Sequence, residues 1–190
     1  MGSWGLAGEW GLPPVPPNKT RSREEMNTRD YTLIAVTAAL YAALTIVLAP
    51  VSFGPIQLRM ADCLIALSAV LGLPVVIGVG LGAFLGNAYF GLGIIDIVFG
   101  AIANLVGGYI IFRMKEKLLP GLLAGSLAVG VIVGGYLWIY FPPPEILGLN
   151  LPVWLGMIIS ISLSSIIAIV GLGYVLVQAL RASGVLENLK

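Results

Sequence analysis

The chain has no histidine and a single cysteine, Cys63, and only 10% of its 190 residues are charged. Each scarcity removes a class of chemistry. Without His, the side chain that ordinarily titrates near neutral pH is gone, and with it the commonest metal ligand. One Cys closes no internal disulfide and builds no cysteine zinc site. Cys63 therefore reads as a small apolar helix residue. A soluble domain carries roughly 25% charged residues, so a chain with 10% cannot clothe its surface in polar groups. A net charge of +1 and a pI near 7.8 offer no basic footprint, and nucleic acid is not an expected partner. Motifs for catalysis are missing too. A Ser-His-Asp arrangement is impossible, and there is no metal-ligand cluster and no phosphate-binding loop. The glycines of GLGAFLGN lie inside a hydrophobic run with no preceding strand, so they read as helix packing rather than a nucleotide loop. The chain is thus read as no enzyme, with no cofactor, and unable to use ATP by itself.

What is abundant is apolar sequence: 58% of residues are hydrophobic and the mean hydropathy is +1.00. The expected solvent is a lipid bilayer and the expected fold is all-α. A spanning helix needs about 20 apolar residues. Apolar segments run over 31–49, 57–71, 74–90, 94–112, 120–141 and 152–180, separated by Pro50, GLP, GLG, RMKEK and PPP. That predicts six transmembrane helices within residues 26–190. The second and third segments leave open a single broken or re-entrant element around Gly72 and Pro74. Residues 1–25, rich in Gly and Pro and then charged, are predicted to be a disordered tail. They lack the apolar core of a signal peptide. Leu6 stands where a myristoylation site needs Ser or Thr. MNTRDYTLIAV makes Met26 a candidate natural start.

The basic residues test the count of six. Lys19, Arg21, Arg23 and Arg29 precede the first helix, Arg113, Lys115 and Lys117 follow the fourth, and Arg181 and Lys190 follow the sixth. Six crossings put all of them on one side, which the positive-inside rule makes cytoplasmic, with both termini there. The chain is expected to be a multi-pass protein of the cell membrane. Segments 50–58, 91–93 and 142–151 then lie outside. Tyr89, Trp138, Tyr140 and Trp154 gather near that outer side, as an interfacial aromatic belt or as a stacking wall for a flat ligand.

The remaining basic residue, Arg59, sits in SFGPIQLRMADCLIAL with Asp62 three positions on, so the two share a helix face. Ionisable groups in membrane segments are costly, usually paired, and turned toward an interior or a wet cavity. Asp96, in GLGIIDIVFGAIAN, opens the fourth helix, and Asn87 and Asn104 place amides in apolar surroundings. Taken singly, the acids read as salt-bridge partners of Arg59 or interfacial caps. Arg59 alone reads as a snorkelling side chain, and the amides as interhelical hydrogen bonds. Taken together, they converge on one mouth of an apolar bundle and point to a polar ligand. In the first helix, Ala35, Ala39 and Ala43 repeat every four residues beside Ala38 and Ala42. Small residues at that spacing let another helix approach closely, within the chain or on a partner.

LAPVSFGPIQLRMADCL, followed by GNAYFGLGIIDIVFGAIANL, resembles the QueT family over roughly residues 26–181. Members are substrate-binding S components of energy-coupling-factor transporters, assigned to queuosine precursors such as preQ0, preQ1 or queuine. The resemblance implies a six-helix S component that takes its substrate from outside and works with a transmembrane coupling subunit and two cytoplasmic ATPases. It also makes Ala35, Ala39 and Ala43 the docking stripe for the coupling subunit. The family often has Glu where this chain has Asp62. The implied cargo is a 7-deazaguanine, whose ring N–H and exocyclic amine are adjacent donors. A carboxylate accepts both through charge-assisted hydrogen bonds. Asp62 or Asp96 fits that task. Gln57, Asn87 or Asn104 would donate to the ring carbonyl, Arg59 would orient the ligand, and Phe53 and Tyr89 would stack on it. Another vitamin-like cargo, or a stand-alone carrier, are the alternatives.

Overall fold

The structure, a computed structural model, describes residues 26–49, 58–141, 151–184 and residue 186. These residues are helical with no strand among them. The helices are α1 Thr28–Val47, α2 Met60–Leu71, α3 Leu73–Phe90, α4 Ile94–Arg113, α5 Leu118–Leu137 and α6 Val153–Ala182. Their limits follow local chemistry. Asn27 caps α1, its N–H donating to the Asp30 carboxylate at 3.0 Å. Pro74 and Pro120 fall in the first turns of α3 and α5, where no helical N–H bond is lost. Gly91, with φ of 64°, closes α3 in the left-handed conformation that Gly adopts without strain.

The expectation of six spanning helices needs correction. Five are long and apolar enough to cross a membrane, and α2 is not. Its first part, Met60–Leu67, is wound as a 3₁₀ helix, and Ser68–Leu71 as a single α turn. At these rises α2 is about 22 Å long against a hydrocarbon core of about 30 Å. It tolerates this because it lies inside the bundle: Ala61, Ile65 and Ala66 are fully buried. Wrapped in protein, a short helix leaves no backbone polar group facing lipid. Nor are α2 and α3 one broken element. They are two helices that meet at Gly72, whose φ of 82° turns the chain back.

Small residues set how the helices meet. Gly78, Gly82 and Gly86 form a stripe on α3 that faces Thr37, Tyr41 and Thr45 of α1. A Cβ added at Gly82 would lie 2.6 Å from the Tyr41 Cβ and 2.8 Å from the Ala38 carbonyl, so the two helices are as close as backbone permits. The residue pairs rise together, so α1 and α3 run parallel. Gly107 and Gly125 bring α4 against α5, and Gly134 brings α5 against α6, in antiparallel order. α6 contains a π-helical stretch, Ile166–Leu172, just before Gly173. A Cβ at Gly173 would sit 2.6 Å from that of Ala66 on α2. The inward stripe of α1 is therefore Thr37, Ala38, Tyr41 and Thr45, while Ala35, Ala39 and Ala43 lie on its exposed face.

α1, α3 and α5 run one way and α2, α4 and α6 the other. Arg29, Arg113, Lys115, Lys117 and Arg181 thus come to one end, where all are exposed. Arg59, Asn87 and Asp96 come to the opposite end.

Candidate functional site

Asn87 is the hub of that opposite end. It sits in the last turn of α3, fully buried. Its Oδ1 accepts a hydrogen bond from Arg59 Nη2 at 2.7 Å, and its Nδ2 donates to the Asp96 main-chain carbonyl at 2.9 Å. One amide thereby ties the start of α2 to the start of α4. The space it needs exists because residue 100 is Gly: a Cβ there would collide with the Asn87 amide nitrogen and crowd the Tyr136 hydroxyl.

Each carboxylate is held by a tyrosine. Asp96, 2% exposed in the first turn of α4, accepts from the Tyr136 hydroxyl of α5 at 2.9 Å. Its place at a helix N-terminus adds about 0.3–1 kcal/mol of dipole stabilisation. Asp62, also 2% exposed, accepts from the Tyr41 hydroxyl of α1. Asn104 donates to the Val79 carbonyl at 3.5 Å and reaches the Tyr41 hydroxyl as well. Arg59 bonds to Asn87 rather than to either acid, and it acts on both carboxylates through its charge. Two atoms of the cluster are buried with no hydrogen-bond partner among the described residues: Arg59 Nε and Asp96 Oδ2.

Beside this cluster is a hollow of about 10 Å³ lined by Arg59, Asp62, Val129, Val133, Ile161, Ser164 and Ser165. That is room for about one water. Its walls differ. α2 supplies a carboxylate and the residue before it a guanidinium, α5 and Ile161 an aliphatic cheek, and α6 two hydroxyls. The walls thus set aliphatic contact beside a charged and hydroxylated edge.

Of the residues singled out in the sequence, Arg59, Asp62, Asn87, Asp96 and Asn104 are brought together. Tyr89 is not. It is 69% exposed and set edge-on to Phe90 at 5.5 Å between ring centroids. Two residues beyond Asn87 on a helix, it must point to nearly the opposite side. With the exposed Trp138 and Trp154 it forms an outward aromatic group, the arrangement expected of an interfacial belt. Phe53 and Gln57 lie outside the described residues. The sequence reading missed Tyr41, Tyr136, Ser164 and Ser165. One signal was available for the tyrosines: a Tyr inside an apolar helix must find a partner for its hydroxyl.

Five span-length apolar helices with ionisable groups turned inward define a multi-pass membrane protein. The sequence model of the QueT transporter family matches residues 31–182, most of the chain, and the chain belongs to that family. It is a membrane transport protein and not an enzyme. Comparison with curated proteins gives no match, and neither does comparison with solved structures.

Proposed function

We propose that the chain is the substrate-capturing S component of an energy-coupling-factor importer in the cell membrane, and that its cargo is a queuosine precursor, a 7-deazaguanine. The observation that supports this most is the buried polar cluster beside a partly apolar hollow, at the end of the bundle remote from the exposed basic residues. Read with the positive-inside rule, the basic end and both termini are cytoplasmic, and the cluster faces the side from which solute arrives.

In this reading the hollow widens as the ligand enters, and the ring lies against Val129, Val133 and Ile161 with its polar edge toward Asp62 and Arg59. Asp62 accepts the adjacent ring N–H and amine donors, and Arg59 donates to the ring carbonyl. Asn87, Asn104 and Asp96 hold these groups in place. Ala35, Ala39 and Ala43, exposed on α1, serve as the docking stripe for the transmembrane coupling subunit. Two cytoplasmic ATPases supply the energy.

Two measurements test the reading. Chain purified from cells grown with a 7-deazaguanine should carry that compound, detectable by mass spectrometry. In reconstituted vesicles, uptake should require the coupling subunit and ATPases, and Ala39→Leu should abolish it while leaving ligand binding intact. Uptake by vesicles holding this chain alone would replace the proposal with a stand-alone carrier. A different co-purifying compound would change the cargo and keep the scaffold.

A further inference from the structure

The hollow beside Asp62 has room for about one water, so a site that takes a ring there must open. Its lining residues belong to two packed units. α5 supplies Val129 and Val133, and the N-terminal part of α6, Val153–Ser165, supplies Ile161, Ser164 and Ser165. These two are pressed together: a Cβ at Gly134 of α5 would lie 2.5 Å from the Ile158 Cα. Arg59 and Asp62 come from the start of α2. α2 packs on the C-terminal part of α6, Gly173–Ala182, where Gly173 meets Ala66 and the Cys63 carbonyl. The hollow therefore lies on the seam between the two units, and α6 is common to both.

The stretch that joins the two parts of α6 is Ile166–Leu172, wound as a π-helix. It starts at the residue after Ser165, at the edge of the hollow. It touches both α2 and α5. π turns are rare, recur at functional sites, and are places where helices bend. Gly171 lies within this one on its exposed side, and Gly holds a helical conformation poorly. We infer that the π-helical stretch of α6 is the hinge on which the hollow opens. This deepens the importer reading above and rests on it. Bending at the hinge carries α2 and the C-terminal part of α6 away from α5 and the N-terminal part. Arg59 and Asp62 thereby part from Val129, Val133 and the two serines, and a ring can enter. The lining residues stay in their helices, and only the joint changes. α1 packs on α2 and α3, on the α2 side of the seam, so the Tyr41 bond to Asp62 survives the motion.

The test joins hydrogen exchange, read by mass spectrometry on the purified full chain, to the association rate of preQ0 measured by stopped-flow fluorescence. Amides of residues 166–172 should exchange about tenfold faster than those in the middle of α5, and bound preQ0 should slow them. Gly171→Ala adds a methyl that meets nothing beyond the adjoining backbone of its own helix within 4 Å, so it stiffens the joint without touching the hollow. It should slow preQ0 association about fivefold. Gly135→Ala, an equally open position in α5, should leave that rate unchanged. Exchange at 166–172 as slow as in α5 would overturn the inference. So would equal association rates in Gly171→Ala and wild type. Both results leave the importer reading intact. If the wild-type chain bound no preQ0, the cargo reading would fail, and the exchange contrast, which needs no ligand, would decide the hinge by itself.

Discussion

The two ends of the bundle use the same residue types to opposite effect. At one, Arg113 ends α4 and Lys115 and Lys117 follow it, all exposed, with Lys115 Nζ 5.4 Å from the Phe112 ring centroid. At the other, Asp62 and Asp96 are enclosed and Arg59 is half-buried, each tied to an amide or a tyrosine hydroxyl. Exposed charges lie in high dielectric, where a neighbour matters little and the sum matters for orientation. Enclosed charges lie in low dielectric, where every missing partner is felt in full. A sequence lists both sets simply as charged residues. Burial decides which are addresses and which are chemistry.

Substitutions that widen or erase this contrast test it. The largest effect is expected from Arg59→Met, which leaves two enclosed carboxylates with no cation. Loss of stability of about 3–5 kcal/mol should appear as a large fall in melting temperature in detergent, with loss of ligand binding. Tyr41→Phe removes the donor to Asp62 while keeping the ring, and should cost about 1–3 kcal/mol by the same measurement. Gly100→Ala drives a methyl into the Asn87 amide and should cost about 1–3 kcal/mol. Its control is Gly135→Ala, where nothing beyond the adjoining backbone of its own helix lies within 4 Å of the new Cβ. That change should be neutral or stabilising by less than about 1 kcal/mol. The smallest effect belongs to the exposed end. Lys115→Ala should shift stability by under about 1 kcal/mol, the scale of its cation–π contact. If Lys115→Ala proved as damaging as Arg59→Met, the distinction between the two ends would fail.

The site was half legible. Arg59, Asp62 and Asp96 stand out in any apolar sequence, because the cost of burying charge makes each one conspicuous. Asn87 and Asn104 followed by the same logic. The tyrosines did not, because Tyr is at home both in a belt and in a core, and sequence does not say which way a helix is rotated. Tyr41 and Tyr136 turned inward, and Tyr89 turned outward two residues from a buried Asn. The serines of α6 were hidden for a related reason: a short hydroxyl side chain hardly disturbs an apolar run. The length of α2 was also misjudged. Its apolar run extends back to residue 57, but the helix begins only after Arg59.

Composition and the spacing of apolar runs determined, by themselves, that this chain is helical and lives in lipid, and where most of its helices stop. Proline, glycine and charge act locally on backbone and solvent, so their consequences can be read along the chain. Which helix crosses and which is swallowed, which tyrosine meets which acid, and which carboxylate oxygen is left bare were decided only by packing. Those outcomes depend on residues as distant as Tyr41 and Asp62, or Asp96 and Tyr136, arriving at the same point in space.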